Sequence, residues 1–198
     1  MAKPLTTTSH ALLGLLSIRP WSAYELAKQV DRSLGWFWPR TERKIYDEAK
    51  KLVESGHASA TAQGIGSRPR TVYAITTEGR RTLRAWLDES SAPPKLEAEA
   101  LVRIFFADAG TLDQLRTTVD DLATNASANL ERLRGLIAAA DDPAYPFPER
   151  RHINAIAIRF QLDFNQMIAD WAEWAAAQTD SWVDIDDPDH WDWQAALT

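Results

Sequence analysis

At 198 residues, with 45% hydrophobic and 25% charged side chains, the chain has material for one or two buried cores and is too apolar for a disordered or fibrous protein. The absence of cysteine excludes disulfides, thiolate catalysis and cysteine-ligated metal, and it fits a reducing cytoplasm. A net charge of −6 hides a division, because residues 1–90 carry 14 Lys and Arg against 9 Asp and Glu while residues 91–198 carry 8 against 19. A basic module tied to an acidic partner or sensor module has this asymmetry, and so does a protein with a merely solvated acidic face.

The opening string MAKPLTTTSHALLGLLSIRPWSA imitates a secretion signal, with Lys3, an apolar run over residues 11–18 and small residues at Ser22 and Ala23. Polar residues from Thr6 to His10 separate the lysine from that run, and Arg19 ends it too soon for a membrane span. The run therefore reads as an amphipathic first helix closed by Pro20, and a cytoplasmic chain without a membrane segment is expected.

Ser22 is an N-cap for AYELAKQVDRSL, and Glu25 three residues on completes a capping box. Thr41 caps a third helix whose Ile45, Ala49, Leu52 and Val53 form an apolar stripe and whose Gly56 supplies a left-handed stop. Arg40, Arg43, Lys44 and Lys50 fall off the stripe and give a basic outer face beginning at the helix N-terminus, an end that suits phosphate. Residues 57–63 and 70–75 read as two short strands joined across Gly64 and Gly66, with Arg68 and Arg70 at the turn. Thr76 caps a fourth helix whose Leu83, Trp86 and Leu87 are expected to pack under that hairpin, and residues 90–94, SSAPP, are the best domain boundary.

A helix, two short strands and a helix in that order are how a winged helix is written, and most winged helices place one helix in a DNA groove. On that reading Arg43 and Lys44 face base edges, Tyr46 and Lys50 reach phosphate, Arg40 and Thr41 sit at the helix N-terminus, and Arg68 and Arg70 belong to the wing. Each has a plainer alternative as a solvated charge or, for Tyr46, a ring packed against the second helix. The partner expected is double-stranded DNA.

In the C-terminal half, residues 111–140 place Leu112, Leu115, Val119, Leu122, Ala126, Leu133 and Leu136 in a three-four alternation, interrupted by Asn129. A second long helix over residues 149–177 spaces Ile153, Phe160, Met167 and Trp174 seven apart, with Ala157, Phe164 and Trp171 between. Two such helices beside a small winged domain are most economically buried by a second copy, so Leu115, Leu122, Ile153, Phe160 and Met167 are the expected homodimer contacts. Twofold pairing would set two reading helices about 34 to 36 Å apart, one turn of DNA. An intrachain bundle within a monomer is the alternative.

Trp171, Trp174 and Phe164 could sandwich a small aromatic effector between subunits, although core packing also explains them. Residues 180–198 mix five aspartates between Asp184 and Asp192 with Trp182, Trp191 and Trp193, which suggests a cation loop, an acidic arm or a strap across the dimer. The tail lacks the glycine and terminal glutamate of a calcium loop, so no metal or other cofactor is expected. His10, His57, His152 and His190 form no paired-ligand motif and GIGSRP is no nucleophile elbow, which leaves a small hydrolase or metal-dependent enzyme as a remote alternative. A winged helix used for protein contact without DNA is another.

The strings ALLGLLSIRPWSAYELAK, FWPRTERKIYDEAKKLVESGH and RTVYAITTEGRRTLRAWL resemble the PadR family of transcriptional regulators, in the branch with a long helical C-terminal domain. The family pattern runs through a leucine-rich helix, GYEL, IY..L..LE..G and Y.LT..G...L..WL; here Ala23 stands in place of glycine and Ala49 in place of a larger aliphatic residue. The resemblance implies a mainly α fold with a small β-hairpin: a winged helix-turn-helix domain over residues 1–90 and an all-α dimerisation and effector domain over residues 91–198. It further implies that Tyr46 lies on the DNA-facing helix, that Arg68 is the wing residue, and that the protein is a repressor released by phenolic or other aromatic compounds.

Overall fold

The computed structural model describes residues 4–63, 70–143, 145–186 and 191–197. The chain divides into two compact units, Met1–Pro94 and Lys95–Thr198. No helix among the described residues is long and apolar enough to cross a membrane.

In the first unit, α1 spans Thr7–Ile18 and starts four residues earlier than the apolar run suggested. Thr6 is the reason: its hydroxyl accepts from the Ser9 amide at 3.2 Å, and its own amide donates to the Ser9 hydroxyl at 2.9 Å. A serine thus fills the capping-box position usually held by Glu or Gln. Leu12, Leu13 and Leu16 from α1, Leu26 of α2 (Ala23–Ser33) and Ile45 and Leu52 of α3 (Glu42–Glu54) are fully buried, with α1 and α2 both packed on α3. Side chains of this size each stabilise by roughly 1.5–3 kcal/mol on burial.

Strand β1, Trp21–Ser22, is an element that the sequence reading did not anticipate. It pairs antiparallel with β3 (Arg70–Ile75), setting Trp21 opposite Tyr73, while β2 (Ala58–Gln63) pairs along the other edge from Ala58 opposite Ile75 to Gln63 opposite Arg70. The result is a three-stranded sheet in the order β1-β3-β2. Gly56, with φ +77°, turns the chain from α3 into the hairpin. The Thr76 hydroxyl donates to the Gly56 carbonyl at 2.8 Å and accepts from the Gly79 amide at 3.0 Å, so one group closes α3 and caps α4 (Thr77–Leu87). At Gly79 a β-carbon would sit 2.1 Å from the His57 carbonyl oxygen, which leaves no room for any side chain there.

Helix α4 packs mainly along α1 rather than beneath the hairpin. Its Trp86 is half-buried and stacks on His10 with ring centroids 4.8 Å apart. Trp86 thus packs on the imidazole of α1 and not beneath the hairpin, where the sequence placed it.

In the second unit, α5 (Glu99–Phe105) leads to two long helices, α6 (Leu112–Ala139) and α7 (Arg151–Asp180). They run antiparallel: Arg116 near the start of α6 meets Thr179 and Asp180 at the end of α7, and Asn129 meets Asn165 midway. Leu115 and Val119 of α6 join Ala172 and Ala175 of α7 in a core, against which Ile104, Leu122, Trp171, Trp182 and Ile185 also pack. Small residues, Ala172 and Ala175, lie on the buried face of α7, and Arg116 satisfies the carbonyls that end that helix.

Candidate nucleic-acid interface

Helix α3 is built with one side closed and one side open. Thr41 caps it by accepting from the Lys44 amide at 3.3 Å, and Ile45, Glu48, Ala49 and Leu52 are buried against α1 and α2. Arg43, with 92% of its side chain exposed, projects from the first turn and is held only at 3.9 Å by Asp47. An exposed pair of this length contributes little. Lys50 is exposed and makes no ion pair among the described residues. Tyr46 is half-buried and its hydroxyl donates to Glu42 at 3.4 Å. Burial and then the Glu42 carboxylate raise its pKa, so the phenol remains a donor at neutral pH.

The other sequence candidates are spread more widely. Arg40 precedes the helix: its guanidinium lies 4.1 Å over the Trp38 ring and donates to the Thr8 hydroxyl at 3.3 Å and to the Pro39 carbonyl at 2.6 Å. It is therefore braced against the start of α1. Arg70 opens β3, exposed and paired with Gln63, and its charge reaches the capping carboxylate of Glu25. Arg68, with Gly64 and Gly66, lies outside the described residues.

Lys44 has a different situation, set by a residue that the sequence reading passed over. Glu48 is 2% exposed. Its Oε1 accepts from the Thr6 hydroxyl at 2.8 Å and from the Ser9 hydroxyl, so the capping residues of α1 grip α3. Its Oε2 accepts no hydrogen bond and faces the ammoniums of Lys44 at 3.7 Å and Lys51 at 3.6 Å. Burial alone would raise the pKa of Glu48, but the two hydroxyls and then the two lysines outweigh it and hold the carboxyl below its ordinary range. The signal was present in the sequence, because position 48 lies between Ile45 and Leu52 on the buried stripe.

In the second unit the two heptad stripes have separate fates. Leu115 is buried inside the α6–α7 pair and Leu122 is half-buried beside it, so both are occupied within the chain. The stripe of α7 faces away from α6: Ile153 is 48% exposed, Phe160 59% and Met167 53%, with Ile156 alongside. Phe160 stacks on the half-buried Phe164 at 6.4 Å, and Trp171 and Trp174 lie 6.4 Å apart, tilted by 45°. Trp171 packs on the core while Trp174 is exposed.

The described parts of the tail pack on this unit. Trp191 donates to the Gln178 side chain at 2.9 Å and meets Trp182 edge-on at 5.3 Å, and Trp182 and Ile185 cover the Leu115–Ala175 core. Asp187, Asp189 and His190 lie outside the described residues, among which no group of His, Asp and Glu is placed to hold a metal ion.

A helix N-capped beside a three-stranded sheet, with its basic face open and its apolar face in the core, defines a winged helix-turn-helix unit followed by a long-helix unit. Residues 12–85 match the profile of the transcriptional regulator PadR-like family, and residues 98–180 match that of the virulence activator alpha C-terminal domain. The chain is 30% identical over 138 residues to "Probable transcriptional regulator Rv1176c" of Mycobacterium tuberculosis, covering 64% of this chain and 73% of that one. It is 25% identical over 178 residues to the "Negative transcriptional regulator PadR" of Bacillus subtilis, covering 86% and 96%. Bacillus subtilis PadR in complex with operator DNA superposes with a TM-score of 0.76 at 22% identity, covering 88% of this chain and 99% of that one. The same protein in complex with p-coumaric acid gives a TM-score of 0.71, with the same coverage of each chain. The chain belongs to the PadR-like family of transcriptional regulators.

Proposed function

We propose that the chain is a sequence-specific DNA-binding repressor that acts as a homodimer on a near-palindromic operator. The observation that carries this reading is the open basic face of α3, where Arg43 and Lys50 stand in solvent on a helix whose opposite side is fixed in the core. Arg43 is the residue for base edges, Tyr46 and Lys50 are the residues for phosphate, and Arg70 with Arg68 forms the wing contact. The outward stripe of Ile153, Phe160 and Met167 on α7 is the surface that a second copy covers.

A flat aromatic ligand seated against Trp171, Trp174 and Phe164 is the proposed releasing signal; support comes from the p-coumaric acid complex of the Bacillus subtilis relative. Such a ligand acts only if it binds the DNA-competent and the released arrangements with different affinity, because equal affinity shifts nothing.

The test is selection of bound duplexes from a random pool at two salt concentrations, with and without p-coumaric acid. A symmetric enriched site that the acid releases is expected. A pool that stays unenriched overturns the DNA-binding reading, and an enriched asymmetric site overturns the twofold arrangement.

A further inference from the structure

The DNA-reading helix carries its own counter-charge, and this inference rests on the DNA-binding reading above. We propose that Glu48 is a positioning residue that withholds Lys44 and Lys51 from phosphate and so lowers the affinity of the protein for DNA of arbitrary sequence. Three observations support it. Glu48 is buried, so the carboxylate cannot follow a lysine outward. The Thr6 and Ser9 hydroxyls both bind Oε1, which fixes the group and leaves Oε2 without a hydrogen bond. The two ammoniums, from one turn on either side along α3, complete the set at 3.7 and 3.6 Å while their side chains remain about half exposed.

Either lysine could reach out to a phosphate only by leaving a buried carboxylate with one partner fewer. Sequence-independent binding scales with the number of phosphates neutralised, and two lysines kept at home are two counterion releases forgone. Arg43, paired only with the exposed Asp47, and Lys50, without an ion pair among the described residues, are left to make the contacts that depend on the site being correct.

The experiment compares the full-length native chain with Glu48→Gln, Lys51→Gln and the double variant. Each is titrated with a mixed-sequence duplex and with the duplex recovered by the selection described above, over a series of salt concentrations. Glutamine keeps an oxygen for the two hydroxyls and removes the charge. Glu48→Gln is expected to bind the mixed-sequence duplex roughly five to thirty times more tightly at 150 mM salt, with a log–log salt slope steeper by about one to two units. The selected duplex gains less, so the ratio between the two falls. Lys51→Gln is expected to leave the native slope nearly unchanged but to make the Glu48→Gln slope shallower by about one unit.

Glu54→Gln, which removes a charge from the exposed end of the same helix, is the control. An equal effect there, or a Glu48→Gln slope equal to the native one, overturns the inference while the DNA-binding reading stands. If Glu48→Gln does not fold, Lys51→Gln alone decides, since a slope lowered by a full unit in an otherwise native chain overturns the inference. A native chain that binds neither duplex removes both readings.

Discussion

Asn129 donates its side-chain amide to the side-chain oxygen Oδ1 of Asn165 at 3.0 Å, joining the two long helices through a polar pair midway along an apolar seam. Asn165 is buried and in turn donates to the Gln161 carbonyl at 2.8 Å. The interruption that Asn129 makes in the α6 stripe is therefore matched by one on α7, and the pair is satisfied in a single stagger of the helices. Asn129→Ala should lower stability by about 1–3 kcal/mol by leaving Asn165 short of a partner. Leucine at both positions should recover much of that loss and broaden the unfolding transition, as read by circular dichroism in urea.

Arg116 closes the other end of the seam. Its guanidinium donates to the Thr179 carbonyl at 2.7 Å and extends to those of Asp180 at 3.3 Å and Trp182 at 3.5 Å. Arg116→Ala should cost about 2 kcal/mol and release the tail, and lysine should rescue little, because a single ammonium cannot span the same carbonyls. Protease cleavage after the end of α7 is the measurement, with faster cleavage expected in both variants.

His10 gives a pH dependence of defined sign. Burial depresses its pKa below the ordinary 6.5, against the Thr6 carbonyl that its Nδ1 meets at 3.0 Å. The folded chain therefore takes up a proton less readily than the unfolded one, so stability is full above 6.5 and falls as pH drops through that value. His10→Gln should flatten the midpoint temperature between pH 7.5 and 5.5. A second loss, from Glu48, belongs to more acid conditions: its depressed carboxyl contributes above the ordinary 4.5 and is lost as pH falls through the folded value.

Arg43→Ala should weaken binding to the selected duplex by about 1–3 kcal/mol and relax the preference at one base pair, whereas Lys50→Ala should weaken all duplexes alike and reduce the salt slope by about one. Lys44→Ala should change the slope less than Lys50→Ala, because Glu48 already engages that ammonium. Equilibrium titration at several salt concentrations separates the three.

Phe160→Glu together with Met167→Glu should leave the helix content unchanged and abolish the proposed dimer in sedimentation, because both side chains stand clear of the α6–α7 core. Leu115→Glu should unfold the second unit instead, since Leu115 belongs to that core.

What the sequence made legible was local. Ser22, Thr41 and Thr76 declare their helices because a cap needs only the next three residues, and the structure has all three. Thr6 escaped notice because Ser9 replaces the acidic partner that marks such a start. Strand β1 escaped because Trp21 and Ser22 become a strand only by meeting Tyr73 and Val72, some fifty residues on. The α6 stripe was visible, but periodicity states only that a face is covered, and the covering of Leu115 by Ala172 and Ala175 is a tertiary fact. Glu48 is the same lesson on the candidate interface: an acid between two apolar positions is ordinary until α1 arrives with two hydroxyls.

The docked tail supplies the protein with an intrinsic optical reporter. Trp191 hydrogen-bonds to Gln178 and lies edge-on to Trp182, which itself covers the helix-pair core. Peeling the tail away would hydrate both indoles at once and shift their emission to the red, so occupancy at that end of the helix pair can be followed in unlabelled protein by a change of colour.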